Sequence, residues 1–224
     1  YPVCDAQGRL VGLVPGAVLF EQQAFEISAQ AGAMVGVERE ERLATPLWRS
    51  FRFRHPWLLV NLLTVFVAAG VVGYFEQAIE QIVVLALFLP VLAGQCGNLG
   101  AQALAVTLRA MTLGETRQIR VLRLALKEAG LGLLNGMLTG ALAAAAMYWA
   151  AGRESAGDPL LLAAVTFTAM SIGCALSGIA GAMVPLLLKR AGADPATASA
   201  ILLSTATDVL SMGLFLGLAS QLLL

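Results

Sequence analysis

Five long apolar stretches dominate this sequence, and each is long enough to cross a lipid bilayer as a helix. A membrane-spanning helix needs about 20 largely apolar residues. The stretches that qualify cover residues 57–74, 79–108, 125–150, 160–188 and 196–224. The sequence therefore predicts an all-α, polytopic membrane protein with five transmembrane helices per chain.

The composition agrees with a membrane domain and excludes several kinds of site. Only 12% of the residues are charged, whereas soluble domains carry about 25%. The net charge is zero, so bulk charge indicates no nucleic-acid partner. A single histidine, His55, excludes a His-rich metal site. Cys4, Cys96 and Cys174 lack CxxC spacing, which indicates neither a zinc site nor a disulfide framework, and the last two are interpreted as small packing residues.

The basic residues predict the orientation in the membrane. Thirteen of the 14 Lys and Arg residues fall before the first span, between the second and third spans or in the first turn of the third, or between the fourth and fifth. Cytoplasmic loops carry such an excess of Lys and Arg. The sequence therefore predicts a multi-pass protein of the inner (plasma) membrane, with a cytoplasmic N-terminus and an extracytoplasmic C-terminus.

Two small elements are predicted before the first span. The segment YPVCDAQGRLVGLV alternates like two short strands around a Gln-Gly turn. The segment TPLWRSFRFRHPW predicts an amphipathic interfacial helix, with Thr45 as N-cap and Pro46 at its first position. That helix is either a membrane anchor or a lever between a cytosolic regulator and the membrane domain. Because the chain starts at Tyr1 and shows no signal peptide, we expect it to be the C-terminal part of a longer protein.

Asp208 is the only acidic residue well inside a predicted span. An ionised carboxylate in the bilayer core costs about 3 kcal/mol or more. Ser204 and Ser211 lie one turn away on either side, so the three residues form a polar stripe on one helix face. Such a stripe should face a wet cavity. The alternative is that Asp208 hydrogen-bonds a neighbouring helix, since no intramembrane Lys or Arg is available to pair with it.

The segment PVLAGQCGNLGAQAL, residues 90–104, places polar and glycine residues deep in the second span. Gln95, Asn98 and Gln102 share one helical face. The neighbouring glycines permit either close helix packing or exposure of carbonyl oxygens to an ion; they are Gly94, Gly97 and Gly100. Together with Asp208, the carboxamides favour a polar conduit. Three other small-residue pairs spaced four apart suit close helix crossings, namely Gly136/Gly140, Ser177/Gly181 and Gly213/Gly217.

The ligand types in this conduit favour a hard divalent cation. Carboxylate and carbonyl oxygens suit Mg²⁺, Ca²⁺ or Mn²⁺. One Asp per chain matches a double charge poorly, so two chains around a twofold axis, each giving one carboxylate, are expected. Mg²⁺ loses its water reluctantly and suits a site of few carboxylates.

Three segments resemble the membrane domain of the MgtE family of magnesium channels. They are PWLLVNLLTVFVAAGVVGYFE, LFLPVLAGQCGNLGAQALAVTLRAMTLGE and DPATASAILLSTATDVLSMGLFLGLA. The resemblance implies a five-helix homodimer with a pore lined by the second and fifth spans. It places the pore carboxylate at Asp208, the motif asparagine at Asn98, the motif glycines at Gly94 and Gly97, and the backbone of Ser204 near the ion. The transported ion would be Mg²⁺, with Mn²⁺ or Co²⁺ as alternatives.

The same resemblance implies a domain organisation. Residues 1–35 are similar to the tail of a CBS domain, residues 36–56 to the family's connecting or plug helix, and residues 57–224 to its pore domain. The chain departs from the family at Gln95 and Cys96, where small residues or methionine are usual.

The functional hypothesis is a passive channel that carries hydrated Mg²⁺ into the cytoplasm. The inside-negative potential supplies about 2.3 kcal/mol per charge per 100 mV, and the sequence has no Walker motif. The alternative is a sodium- or proton-coupled exchanger, in which Asp208 also binds a proton. An enzyme is not expected because Asp208 has no acidic partner within the spans. A structural scaffold would leave Asp208 unexplained.

Overall fold

The computed structural model describes residues 1–38, 40–115, 120–154 and 157–223. The chain divides into two compact units, Tyr1–Pro56 and Trp57–Leu224. The elements are strands β1 (Pro2–Cys4) and β2 (Leu10–Leu13), followed by helices α1 (Gly16–Ala33), α2 (Leu47–Tyr74), α3 (Glu76–Gln81), α4 (Val84–Thr112), α5 (Val121–Glu154), α6 (Pro159–Arg190) and α7 (Pro195–Leu223).

The first unit begins with the predicted hairpin. Strands β1 and β2 pair antiparallel, and Gly8 takes a positive φ of 78° in the turn between them. The Asp5 carboxylate accepts hydrogen bonds from the backbone N–H groups of Gln7 and Arg9, which closes that turn. The prediction of two strands around the Gln-Gly turn is confirmed. Helix α1 was not predicted, because its apolar residues form no clear helical stripe.

The start of α2 differs from the prediction. The Thr45 hydroxyl accepts from the backbone N–H of Arg42, while the Pro46 carbonyl accepts from the N–H groups of Arg49 and Ser50. Pro46 therefore occupies the N-cap position, and the assignment of Thr45 as N-cap is wrong. The amphipathic segment and the first predicted span form one helix, which continues through Pro56.

The second unit contains most of the membrane-spanning structure. Five of the described helices are long and apolar enough to cross a membrane: α2, α4, α5, α6 and α7. This finding confirms the prediction of an all-α polytopic membrane protein with five spans. The predicted second span started too early, however. Residues 76–81 form the separate helix α3, and the backbone at Ile82 leaves the helical region before α4 begins. The apolar run from Ile82 onward hides this break in the sequence.

Helix α6 is the central helix of this unit and packs against α4, α5 and α7. It is apolar on all sides, as expected of a helix surrounded by other helices. The core around it consists of large buried side chains from four helices, including Leu85, Leu92, Met147, Leu162, Met170, Phe215 and Leu216. The positions of α4 and α7 are thus both fixed by contact with α6.

Glycines let the backbones at these crossings approach closely. A Cβ atom on Gly136 would lie 2.9 Å from the Met170 carbonyl oxygen of α6. A Cβ atom on Gly181 would collide with the carbonyl oxygen of Gly100 in α4. Distances this short exclude any larger side chain unless the backbones move apart. The interpretation of the Gly136/Gly140 and Ser177/Gly181 pairs as helix-crossing positions is confirmed.

Candidate functional site

Asp208 lies near the middle of α7, and its side chain is half-buried. Its backbone carbonyl accepts a hydrogen bond from Ser211 Oγ at 3.3 Å. Within residues 1–38, 40–115, 120–154 and 157–223, no side chain forms a hydrogen bond or ion pair with the Asp208 carboxylate. The alternative expectation, a hydrogen bond from Asp208 to a neighbouring helix, is therefore not met by the described residues. An isolated ionised carboxylate in apolar surroundings is strongly unfavourable, so a carboxyl group at this depth must be protonated, hydrated or bound by a cation.

The hydroxyl groups around Asp208 are satisfied within α7 itself. Ser204 Oγ and Thr205 Oγ1 both donate to the Ile201 carbonyl, at 3.0 and 2.9 Å. Thr207 Oγ1 donates to the Ser204 carbonyl at 2.9 Å. The carbonyl of Ser204, a predicted site residue, is thus already hydrogen-bonded by a side chain. Asp208 is consequently the group on this stripe whose hydrogen-bonding capacity stays unused.

The glycines of α4 fall into two classes that the sequence does not distinguish. A Cβ atom on Gly100 would lie within 3.3 Å of Thr207, Leu203 and the Ser177 carbonyl. A Cβ atom on Gly94 would meet nothing within 4 Å, and one on Gly97 would meet only Thr207 Oγ1, at 3.9 Å. Packing inside one copy of the chain is therefore tight at Gly100, whereas it leaves room for a methyl group at Gly94 and Gly97.

Helices α4 and α7 run side by side at the predicted site. Gly97 faces Thr207, and these residues directly precede Asn98 and Asp208 in their helices. Asn98 is exposed and Gly94 is exposed, whereas the opposite face of α4 is buried against α6 and α7. The structure thus brings the two predicted segments together, with no hydrogen bond between the Asn98 and Asp208 side chains.

Helix α5 adds polar residues that were not predicted to belong to the site. A half-open cavity of about 100 Å³ lies between the carboxamide face of α4 and α5. Gln95, Asn98 and Gln102 line one side, and Asn135 and Thr139 line the other. Asn135 Nδ2 donates to the Leu131 carbonyl of its own helix at 2.8 Å. The i, i+4 spacing of Asn135 and Thr139 shows in the sequence that both lie on one face of α5. The sequence does not show that this face lies beside the carboxamides of α4.

Two buried cysteines lie beside this region. The Sγ atoms of Cys96 in α4 and Cys174 in α6 are 3.9 Å apart, and both side chains are buried, whereas Cys4 is exposed. Cys174 also reaches the wall of the cavity between α4 and α5. Among the described residues, no cluster of three or more His, Cys, Asp or Glu side chains could hold a metal ion within one chain.

Sequence comparisons connect this arrangement to known proteins. The family model described as MgtE, divalent cation transporter, matches residues 89–218, a range that includes both Asn98 and Asp208. A magnesium transporter MgtE of Thermus thermophilus is 35% identical over 227 residues, covering 99% of this chain and 48% of that protein. Proteins of the same name from Bacillus subtilis and Enterococcus faecalis are 27% and 28% identical, covering 98% of this chain and 47% of each relative. The chain spans about half the length of the curated relatives it matches.

Proposed function

The chain belongs to the MgtE family of divalent cation transporters, and from this we propose that it is a channel conducting hydrated Mg²⁺ into the cytoplasm. Its pore would be shared by two copies of the chain and lined by α4 and α7. The family is one of transporters, so the expectation that the chain is not an enzyme is confirmed. A multi-pass membrane protein is also the conclusion from the five long apolar helices.

The unpaired, half-buried carboxylate of Asp208 is the observation that supports this proposal most directly. No described residue neutralises it, so its charge is available to an ion. Two copies would supply two carboxylates for one divalent cation, which balances the charge. Mg²⁺ typically keeps several waters and binds through one or two carboxylates. The ligands beyond Asp208 would therefore act on the water shell of the ion.

Asn98, Gly94, Gly97 and Ser204 complete the proposed ion site. Gly94 and Gly97 have no packing role inside the protomer, which agrees with a role in keeping the path wide and the backbone bare. The exposed Asn98 carboxamide would hydrogen-bond the hydrated ion. The Ser204 carbonyl, already bonded to Thr207, would contribute through water.

We further propose the topology and domain roles that the basic residues and the family resemblance imply. The N-terminus would lie in the cytoplasm and the C-terminus outside the plasma membrane. Residues 1–35 would be the tail of a CBS domain, residues 36–56 the connecting or plug helix, and residues 57–224 the pore domain. The β1–β2 hairpin and the helical start of α2 agree with this division.

The direct test is Mg²⁺ uptake into proteoliposomes that contain the Asp208→Asn variant. We expect uptake to fall at least about tenfold, since losing about 1.4 kcal/mol of ion stabilisation already gives that factor. The matched control is Asp158→Asn. Asp158 caps the start of α6 through the N–H of Leu160 at 2.9 Å, and Asn is an equally good cap. Uptake by Asp208→Asn equal to that of the control would overturn the proposed role of Asp208.

Electrical recording separates the channel from a coupled exchanger. A channel for Mg²⁺ gives a current that reverses at the Mg²⁺ equilibrium potential and needs no second gradient. Flux that requires a sodium or proton gradient would instead identify the exchanger. Competition by Mn²⁺ and Co²⁺ in the same recording defines the ion preference.

A further inference from the structure

The carboxamides on α4 find no hydrogen-bond partners in the part of the chain that the structure describes. Among the described residues, none bonds the side chains of Gln95, Asn98 or Gln102. Each carboxamide has two donors and an acceptor oxygen with two lone pairs. In a membrane, leaving such groups without partners costs several kcal/mol. Something outside the protein chain must therefore satisfy them.

The cavity between α4 and α5 is suited to water in both its chemistry and its size. Its volume is about 100 Å³, and its lining is polar except for Leu99 and the Cys174 thiol. Each water in a liquid occupies about 30 Å³ and needs two to four polar partners when buried. The cavity thus has room for a few waters. Asn135 contributes the oxygen of its side chain, since its Nδ2 already donates to Leu131.

Asn98 connects this cavity to the face of α4 that lines the proposed pore. Successive residues of an α-helix turn by about 100°. Around α4 the order is therefore Gln95, Gln102, Asn98, Gly94 and then Gly97. Asn98 thus lies between the carboxamides of the cavity and the glycines that have no packing role.

From these observations we propose that the cavity is a water-filled side chamber of the ion path. In this chamber Asn135 of α5 is a positioning residue for water that Asn98 relays to the passing ion. This inference rests on the proposed function for its link to ion transport. Water in the chamber would form hydrogen bonds with the outer water shell of the ion. Mg²⁺ holds its water more tightly than Mn²⁺ does and depends more on an intact shell. Loss of the chamber water should therefore reduce Mg²⁺ flux more than Mn²⁺ flux.

The first test asks whether the cavity is wet, and it requires no ion transport. In a Cys4→Ser, Cys96→Ala, Cys174→Ala background, single Thr139→Cys and Leu138→Cys variants are exposed to Ag⁺ in proteoliposomes. Thr139 lines the cavity. Its neighbour Leu138 lies outside the cavity and is 66% exposed on the surface of this membrane-spanning helix, where lipid rather than water would surround it. Ag⁺ reacts with hydrated thiolates, so we expect Thr139→Cys to react at least about tenfold faster than Leu138→Cys. Mass spectrometry measures the modified fraction.

Equal rates at the two positions would overturn the side chamber. Equally slow reaction would mean that the cavity is dry or covered by the second copy of the chain. Equally fast reaction would mean that the labelling does not report a chamber. Because silver labelling does not depend on ion flux, its result is independent of the Asp208→Asn experiment.

The second test measures ion choice. The variant Asn135→Leu keeps the branched shape and the number of side-chain heavy atoms but removes the carboxamide. Asn61→Leu in α2 is the matched control outside the cavity. We expect the ratio of Mg²⁺ to Mn²⁺ flux to fall about tenfold in Asn135→Leu, equivalent to about 1.4 kcal/mol, and to stay unchanged in Asn61→Leu. An unchanged ratio in Asn135→Leu, or the same fall in both variants, would exclude the positioning role of Asn135.

Discussion

At the scale of single residues, two carboxylates of this chain have opposite surroundings. Asp208 has no partner among the described residues, whereas Glu41 accepts a hydrogen bond from Arg54 Nε at 2.8 Å. The Glu41 side chain is only 3% exposed. The Glu41 carboxylate is therefore part of the packing of the first unit, whereas the surroundings of Asp208 fit the role proposed for it at the ion path.

The Glu41–Arg54 pair predicts a pH dependence of the first unit. The hydrogen bond from Arg54 lowers the pKa of Glu41 below its ordinary value of 4.5. A lowered pKa in the folded state means that the pair stabilises the fold above about pH 4.5 and that this contribution is lost as the pH falls further. We expect the Glu41 carboxyl, followed by NMR, to titrate below pH 4.5, and Arg54→Gln to raise its midpoint. A midpoint that Arg54→Gln does not change would contradict the pairing.

The glycines predict opposite effects of the same substitution. Gly181→Ala places a Cβ against the Gly100 carbonyl, so we expect the free energy of unfolding to fall by about 1–3 kcal/mol. Gly94→Ala meets nothing within 4 Å, so its stability should stay the same or rise, because Ala favours helix. Its Mg²⁺ flux should nevertheless fall, because the methyl group narrows the proposed pore.

Chemical unfolding in detergent measures the free energy of unfolding of each glycine variant, and uptake into proteoliposomes measures its Mg²⁺ flux. A Gly94→Ala variant that is destabilised as much as Gly181→Ala would assign Gly94 to packing rather than to the pore. The sequence does not distinguish these glycines, because the identity of a glycine does not reveal which residues of other helices contact it. Asp208, by contrast, is singled out in the sequence by its charge alone, and its role at the ion path stays a prediction.

At the scale of helices, length and hydropathy predict the spans, but neighbouring contacts decide their ends and faces. Four of the spanning helices begin and end within several residues of their predicted limits, while α2 extends ten residues farther toward the N-terminus. The break between α3 and α4 was not predictable, because it occurs inside an apolar run. The cavity with Asn135 was missed for a similar reason: it depends on which face of α5 lies beside α4.

The cysteine pair predicts that one soft metal ion can bind thiols of two helices at once. Cys96 and Cys174 bring thiols of α4 and α6 within 3.9 Å, and soft cations favour thiolate ligands. We expect a Cys4→Ser protein to retain one Hg²⁺ per chain and to melt at a higher temperature, since a ligand that binds only the folded state stabilises it. The additional Cys174→Ala change should abolish both effects. Tight binding by that double variant would show that the thiols do not act together.

At the scale of the whole molecule, the main prediction is a site shared between two copies. One carboxylate per chain and a divalent ion predict one bound Mg²⁺ per two chains, measurable by equilibrium dialysis of purified protein together with native mass spectrometry. Asp208→Asn should remove the binding, and Asp158→Asn should keep it. One ion per chain, or a monomer that binds Mg²⁺ as tightly, would contradict the shared site.

The central position of α6 has a mechanical consequence. Glycine contacts hold its backbone directly against α5 and α4, and at Gly136 and Gly181 no side chain separates the two backbones to absorb a shift. Sliding α4 along α6 would force carbonyl oxygens into methylene groups, so each protomer should move as a rigid block. In the proposed dimer, gating would then be a rocking of one protomer against the other. Distances between spectroscopic labels on the two copies should lengthen on opening, while distances between labels on α4 and α6 stay constant.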